Sequence, residues 1–250
     1  MNNSLINFTL HLADNALIIG HRNSEWCGHG PVLEQDIAIT NIALDFIGQA
    51  RNFYQYAASL TGNDATEDSL AYLRDVPEFK NALIAELPNG DWAQTTLRQF
   101  FFSAYQYYYY QQLQKSGDTT LAAIAEKSLK EVTYHLRWSS EWVIRLGDGT
   151  AESKERLLNA LQELWPYTGE LFLPASFETD MLQQNIGVDL VLVKENWEKK
   201  VAEIFAEATI EAPEKSWAQQ GGKTGIHTEY LGYILAEMQF LQRAYPGATW

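Results

Sequence analysis

Four polar side chains lie at positions where long helices could bring their ionisable groups together. They are Asp14, Asp45, Glu131 and His135. Carboxylates and imidazoles on four helices are the ligands of a carboxylate-bridged di-iron centre. Such a centre takes one Glu from each of two helices and a Glu-x-x-His pair from each of the other two. The four positions are therefore a faint echo of an oxygen-activating di-iron centre.

The ligand set of such a centre is incomplete here. None of the five histidines has a Glu three residues before it. Three residues after Asp45, where a His ligand would be needed, the sequence has Gly48, and three residues after Glu131 it has Tyr134. The third helix offers only Phe102 or Ser103 at its ligand position. Buried ionisable groups are costly unless they are paired. We therefore expect the four polar residues to form a network where a metal site has been lost, in which Glu131 and His135 could hydrogen-bond. A degraded but occupied metal site and plain surface are the alternatives.

The elements that carry these positions are helices. Apolar residues at helical spacing, separated by Gly, Pro and polar turns, predict six or seven helices and no strand. The predicted segments are about 5–19, 33–60, 91–114, 119–146, 153–165, 188–208 and 228–244, with a short helix near 69–74. Since no repeat or low-complexity linker interrupts them, we predict an all-α helical bundle with one domain over residues 1–250.

The composition excludes several classes of protein. A content of 46% hydrophobic and 20% charged residues is typical of a globular chain. The formal net charge of −14 argues against nucleic acid as a partner. The single cysteine, Cys27, excludes an internal disulfide and a Cys-rich metal site. With no signal peptide and no apolar run of membrane-spanning length, the sequence predicts a soluble cytoplasmic protein.

One helix is dominated by aromatic residues. Between Arg98 and Lys115 there is no charged residue, and the stretch holds three Phe and five Tyr. These rings cover every side of a helix, so little of it can face solvent. We interpret it as a core helix, and the alternative is that its Tyr-rich face meets another protein.

Several segments resemble one known family, the C subunits of the ring-1,2-phenylacetyl-CoA epoxidase. The segments are Glu25-Trp26-Cys27-Gly28-His29, Leu44-Asp45-Phe46-Ile47-Gly48-Gln49-Ala50-Arg51-Asn52-Phe53, Tyr134-His135-Leu136-Arg137, Gly221-Gly222-Lys223-Thr224-Gly225-Ile226-His227-Thr228-Glu229 and Leu235-Ala236-Glu237-Met238-Gln239, continuing to Trp250. The similarity runs from the first helix to the last residue.

The resemblance implies a ferritin-like helical bundle with additional helices and a non-catalytic, structural role. In that family a homologous A subunit holds the di-iron centre and pairs with the C subunit. A small B subunit bridges the complex, and a reductase subunit with FAD and a 2Fe-2S cluster supplies electrons from NADPH. The complex converts phenylacetyl-CoA to its ring epoxide with O₂ during aerobic phenylacetate catabolism. The resemblance thus implies that this chain binds no cofactor or metal of its own and has no catalytic residue.

Coenzyme A carries phosphate charges, so an acidic protein must meet it with placed cations or helix N-termini. We predict a first contact at Glu78, Phe79, Lys80 and Asn81, which follow Pro77 and open a helical stretch. A solvated turn is the alternative. The segment Thr179, Asp180 and Met181, in the loop before a later helix, is a second candidate on the resemblance alone.

The glycine-rich loop at 221–225 is not a P-loop, because Trp217 occupies the position of the first P-loop glycine and no strand precedes it. We expect the loop to dock the C-terminal helix or contact a partner, with Lys223 and His227 near an anionic group. Two other functions stay open at this point. They are an independent di-iron oxygenase using the four polar residues, and a helical scaffold for an unrelated partner.

Overall fold

In the computed structural model, residues 2–213 and 217–248 are described, and no strand occurs among them. The all-α fold class is confirmed. The chain divides into two compact units. Unit 1 comprises the described residues of Met1–Pro88, Ala175–Phe177 and Gln220–Trp250, and unit 2 those of Asn89–Pro174 and Glu178–Gln219. The single domain over 1–250 stays a prediction, and Trp250, at the end of the family-like tail, lies outside the described residues.

Unit 1 is built on a hairpin of two long helices, α1 (Asn2–Ser24) and α2 (Leu33–Thr61). The hairpin is tight at Gly20, where a Cβ would lie 3.1 Å from the Cβ of Phe46. Four shorter helices complete the unit: α3 (Glu67–Tyr72), α4 (Leu83–Glu86), α10 (Glu229–Met238) and α11 (Phe240–Ala244). A capping box between Thr66 and Ser69 begins α3.

Unit 2 contains a second hairpin of long helices, α5 (Trp92–Leu113) and α6 (Thr119–Gly147). Beside it are α7 (Ala151–Leu164), α9 (Leu190–Glu207) and most of α8 (Ser176–Gln183). The side chains of Asp91, Asp118 and Asp189 accept backbone N–H groups at the starts of α5, α6 and α9. These caps satisfy N–H groups that no helical carbonyl can reach.

The aromatic helix α5 is a core helix, as its lack of charge predicted. Phe101 is fully buried, and its ring centroid lies 5.6 Å from that of Trp197 and 5.8 Å from that of Trp165. The indole N–H of Trp197 donates to the carbonyl oxygen of Phe101 at 2.9 Å. Tyr107 and Tyr108 are the half-buried rings of the run, and a partner contact there stays a prediction.

Three sequence-based boundaries are wrong. Residues 78–81 do not open a helix, because Val76–Glu78 is a single 3-10 turn, Phe79 is extended, and α4 begins only at Leu83. Thr179–Met181 lie inside α8 rather than in a loop. The final helix is divided at Gln239, between α10 and α11. The first error has a physical reason that lies in α1, whose side chains bind the backbone of the extended segment.

Candidate functional site

Asp14, on α1, is one of the two fully buried residues among the four that could have been metal ligands, with His135. Its carboxylate accepts a hydrogen bond from the Tyr54 hydroxyl at 2.5 Å and one from the backbone N–H of Lys80 at 2.8 Å. Both terminal nitrogens of Arg74 also donate to it, one at 3.1 Å and the other in a close ion pair. The fork of the guanidinium therefore meets both carboxylate oxygens.

Arg74 is fixed on all sides. It donates to the backbone oxygens of Leu70 and Glu78, and its guanidinium carbon lies 4.2 Å from the ring centre of Phe79. Burial lowers the pKa of Arg74, but the adjacent Asp14 charge outweighs burial and leaves the pKa above its ordinary value. Burial, followed by the Asp14 charge, raises the pKa of Tyr54. The cost of burying two charges is offset when they pair closely and their remaining donors are hydrogen-bonded, as they are here.

This arrangement does not fit an iron site. The Asp14 carboxylate is already bound by four donors from Tyr54, Arg74 and Lys80, and the guanidinium is a fixed cation where a metal ion would have to approach. Within residues 2–213 and 217–248, no group of three or more His, Cys, Asp or Glu could hold a metal ion. Asp14 acts here as the partner of an internal arginine.

Asp45, on α2, lies at a different height along the α1–α2 hairpin from Asp14. Gly20 faces Phe46 and the helices run in opposite directions, so Asp14 is opposite about residue 52. At about 1.5 Å of rise per residue, Asp45 is about 10 Å away from that level along the helix axis. The residues that contact Asp14 are therefore Tyr54, Arg74 and Lys80, which its predicted grouping with Asp45 did not include.

Glu131 and His135 lie on α6 in unit 2. His135 is fully buried and Glu131 is half-buried. Burial, and after it the charge of Glu131, raises the pKa of Tyr110. The hydrogen bond between Glu131 and His135 stays a prediction. Of the other expected ligand positions, Gly48 has open space where a Cβ would lie, and Phe102 is fully buried beside another ring.

A second buried carboxylate, Glu86 at the end of α4, collects four hydrogen bonds. The donors are His227 Nδ1 at 2.8 Å, Asn81 Nδ2 at 2.8 Å, and the Thr228 N–H and hydroxyl at 2.7 and 2.8 Å. Arg22 donates twice to the Glu86 backbone oxygen, at 3.0 and 2.8 Å. Both the Glu86 and the His227 side chains have no exposed surface.

His227 uses both ring nitrogens. Its Nε2 lies 2.9 Å from the Phe79 carbonyl oxygen, while Nδ1 faces the Glu86 carboxylate. Burial lowers the pKa of His227, but the hydrogen bond and charge of Glu86, with the Phe79 carbonyl, outweigh it and raise the pKa above 6.5. The anionic group that His227 meets is thus inside the protein.

The predicted anion contact at residues 78–81 is held rigidly from α1. His11 Nδ1 donates to the Lys80 carbonyl oxygen at 2.6 Å, Asp14 accepts the Lys80 N–H, and Asn15 accepts the Ala82 N–H at 2.8 Å. Phe79 and Asn81 are buried. Lys80 is half-exposed, and its ammonium has no partner in the described part of the chain. Of the four predicted residues, Lys80 therefore offers a cation to solvent.

The glycine-rich loop docks against the same segment. A Cβ on Gly222 would collide with the Asn81 carbonyl oxygen, and one on Gly225 with the Pro77 carbonyl oxygen. Gly225 also has φ +87°, a conformation that glycine adopts without strain. The loop therefore packs closely against the segment from Pro77 to Asn81, and its contact with a partner stays a prediction. Lys223 is 4% exposed, and coenzyme A binding by Lys223 or His227 stays a prediction.

On α8, the three predicted residues differ in exposure. Thr179 is exposed, Asp180 is half-buried, and Met181 is fully buried. The Met181 carbonyl oxygen accepts the N–H groups of Ile186 and Gly187, both at 2.9 Å. The Met181 side chain is therefore part of the core of unit 2, and a ligand contact of Thr179 or Asp180 stays a prediction.

Sequence reasoning missed Tyr54, Arg74 and Glu86. Glu86 carried a signal, since it is the one charged residue in the otherwise apolar run from Ala82 to Leu87. A carboxylate in such a run needs buried partners. Arg74 carried no such signal, because it precedes a polar turn and its partner is 60 positions away.

An exposed apolar face runs along α2. Leu33 is 72% exposed, Ile37 52% and Leu44 63%, and their spacing puts them on one side of the helix. Gly48 continues this face, with open space where a Cβ would point. Exposed Asn41 lies between Ile37 and Leu44 on this face. Exposed apolar residues grouped on one surface are typical of protein interaction sites. Separately, none of the helices in the described ranges combines the length and the hydropathy required to cross a membrane.

Two comparisons with known proteins bear on the family of this chain. The chain is 45% identical over 248 residues to the C subunit of the 1,2-phenylacetyl-CoA epoxidase of Escherichia coli (strain K12), covering 99% of this chain and all of the relative. A family described as phenylacetic acid catabolic protein matches residues 1–250. With its all-α fold, the chain belongs to the phenylacetic acid catabolic protein family.

Proposed function

We propose that this chain is the non-catalytic structural subunit of a multicomponent phenylacetyl-CoA ring epoxidase in aerobic phenylacetate catabolism. The observation that carries the proposal is the buried ion pair of Asp14 and Arg74, which puts an arginine where the first helix would supply an iron ligand. The E. coli relative, which is part of a phenylacetyl-CoA epoxidase, supports the reaction. In this proposal the chain is cytoplasmic and contributes binding surface rather than reacting groups.

Its partners in this proposal are a homologous A subunit with the di-iron centre, a small B subunit, and a reductase with FAD, a 2Fe-2S cluster and NADPH. The exposed apolar face of α2 supports a contact with the A subunit. Its apolar residues, followed by Gly48, suit a second helix, because a glycine lets two backbones approach closely.

Co-purification tests the pairing. Leu44→Arg puts a charge into the apolar face, and Leu192→Arg on α9 is the matched control, since Leu192 is 49% exposed. Co-expressed with a homologous A subunit, the wild type and Leu192→Arg co-elute with it in size-exclusion chromatography, whereas Leu44→Arg elutes separately with unchanged circular dichroism. Separate elution of the wild type contradicts the proposal and favours an unrelated partner.

We further propose that Lys80 supports the binding of the coenzyme A thioester. A half-exposed ammonium whose backbone is already held in place can pair with a phosphate group without further ordering of the main chain. In the complex, Lys80→Ala weakens phenylacetyl-CoA binding by about tenfold, equivalent to about 1.4 kcal/mol. Lys127→Ala, at an exposed position of α6, is the control, and equal affinity of the two variants contradicts a role for Lys80.

A further inference from the structure

The contact between His227 and Glu86 has a feature that an ordinary buried histidine lacks. Both ring nitrogens face oxygens that accept: a carboxylate oxygen at 2.8 Å from Nδ1 and a backbone carbonyl oxygen at 2.9 Å from Nε2. A neutral imidazole has one N–H, and a peptide carbonyl oxygen cannot donate. Two donated hydrogen bonds require an imidazolium.

The surroundings of Glu86 favour the charged pair. Besides His227, its carboxylate accepts the Thr228 N–H, the Thr228 hydroxyl and the Asn81 amide, which fills the four acceptor positions of an ionised carboxylate. Hydrogen bonds donated to a carboxylate favour its ionised form. An ionised Glu86 and a protonated His227 then neutralise each other without exposed surface.

Two other charged residues near this pair, Asp14 and Arg22, lie on α1. Asp14 lies close enough to favour the protonated form of His227, although Arg74 partly offsets its charge. Arg22 is held at the Glu86 carbonyl oxygen rather than at its carboxylate. Glu86 is therefore the carboxylate that His227 touches directly.

The pair joins three segments of unit 1. His227 and Thr228 stand at the start of α10, Glu86 ends α4, and Phe79 begins the extended segment that holds Lys80. The side chains of α1 bind that segment at the Lys80 and Ala82 backbone, and His227 binds it at Phe79. The Lys80 backbone is thus clamped between α1 and the imidazolium.

We propose that His227 is a positioning residue: a buried imidazolium that, paired with Glu86, fixes the segment 79–82 and so sets where Lys80 presents its ammonium. This rests on the proposed role of Lys80 in coenzyme A binding. His227 does not touch the ligand in this account. It acts through the Phe79 carbonyl and through the docking of the C-terminal segment.

The protonation state can be tested on the wild-type chain alone. Long-range ¹H–¹⁵N correlation spectra of histidine-labelled protein at pH 7.5 are assigned by comparison with Thr228→Val, which removes one donor to Glu86 and shifts the His227 signals. We expect both ring nitrogens of His227 to have imidazolium shifts. A neutral tautomer at that pH overturns the proposal.

The positioning role needs the complex and a second readout. His227→Gln keeps one donor and cannot be charged, so we expect phenylacetyl-CoA affinity to fall about tenfold, as for Lys80→Ala, with a weakened pH dependence. Thr228→Val serves as the milder variant should His227→Gln fail to fold, with an intermediate loss. Affinity unchanged in both variants while Lys80→Ala binds weakly overturns positioning. If Lys80→Ala has no effect, the coenzyme A role of Lys80 is overturned, and with it the positioning role of His227. The charge of His227 is then decided by the NMR spectra alone.

Discussion

The interior of unit 1 beside α1 and that of unit 2 beside α5 are held by different kinds of contact. Unit 1 buries two pairs of charged groups, Asp14 with Arg74 and Glu86 with His227, and surrounds each with hydrogen-bond donors. Around α5, unit 2 buries rings, with Phe101, Trp165 and Trp197 in mutual contact. Ion pairs demand fixed partners, whereas rings tolerate small shifts. Paired charges therefore fix the interior beside α1, and packed rings fix much of the interior beside α5, although α5 also buries Arg98.

The largest effect should follow from breaking the first pair. Asp14→Asn keeps the shape of the side chain but leaves Arg74 buried without a counter-charge. We expect a loss of about 3–5 kcal/mol in the free energy of unfolding, measured with urea. Asp68→Asn, at an exposed position of α3, is the control. A loss below about 1 kcal/mol would show that the arginine finds water instead.

A small loss of volume in the ring cluster should lower the free energy of unfolding less than Asp14→Asn does. Phe101→Leu keeps an apolar side chain and leaves a partial cavity beside Trp197, so we expect a loss of about 1–2 kcal/mol. Phe240→Leu, at a ring that is 63% exposed, is the control. The contrast between the units is contradicted if Phe101→Leu destabilises the protein more than Asp14→Asn.

Two glycines should respond with opposite signs. Gly222→Ala forces a Cβ against the Asn81 carbonyl oxygen, so we expect a loss of about 1–3 kcal/mol. Gly48→Ala places its Cβ in open space within a helix, so we expect a gain of about 0.5–1 kcal/mol in the isolated chain. Thermal unfolding of both variants checks the signs. Equal changes would contradict the docking of the 221–225 loop.

The smallest effect is a pH dependence. Because the pKa of His227 is raised in the folded chain, its contribution to stability is complete below pH 6.5 and is lost as the pH rises through the folded pKa. The stability difference between wild type and His227→Gln should therefore shrink with rising pH. His21 has a pKa lowered by burial, so His21→Gln should gain stability relative to wild type as the pH falls. Parallel profiles for the two variants would contradict the imidazolium.

The sequence predicted what depends on local pattern. The charge-free run after Arg98 predicted a buried helix, and Asp91 predicted where that helix begins. It could not predict the extended segment at Phe79–Ala82, because the side chains that hold it, Asp14 and Asn15, lie more than 60 residues earlier. The Gly222–Thr224 stretch could be excluded as a P-loop, but its target, the Asn81 carbonyl, is set by tertiary packing.

The sequence identified single residues of the candidate site but not the residues that they contact. The expected buried acid, Asp14, is present, and its counter-ion is an arginine from a turn. His227, predicted to contact coenzyme A, pairs with the internal carboxylate of Glu86, and its contact with the ligand stays a prediction. Such pairings join residues distant in sequence, and neither spacing nor composition encodes them.

Iron content decides whether this chain is a non-catalytic subunit. The chain should be purified alone and together with a homologous A subunit, and the iron in each preparation measured by plasma mass spectrometry. We expect no stoichiometric iron in the chain alone and roughly two irons per pair in the complex. Roughly two irons in the isolated chain, with epoxidation by that chain when it is given electrons and O₂, would contradict the structural role.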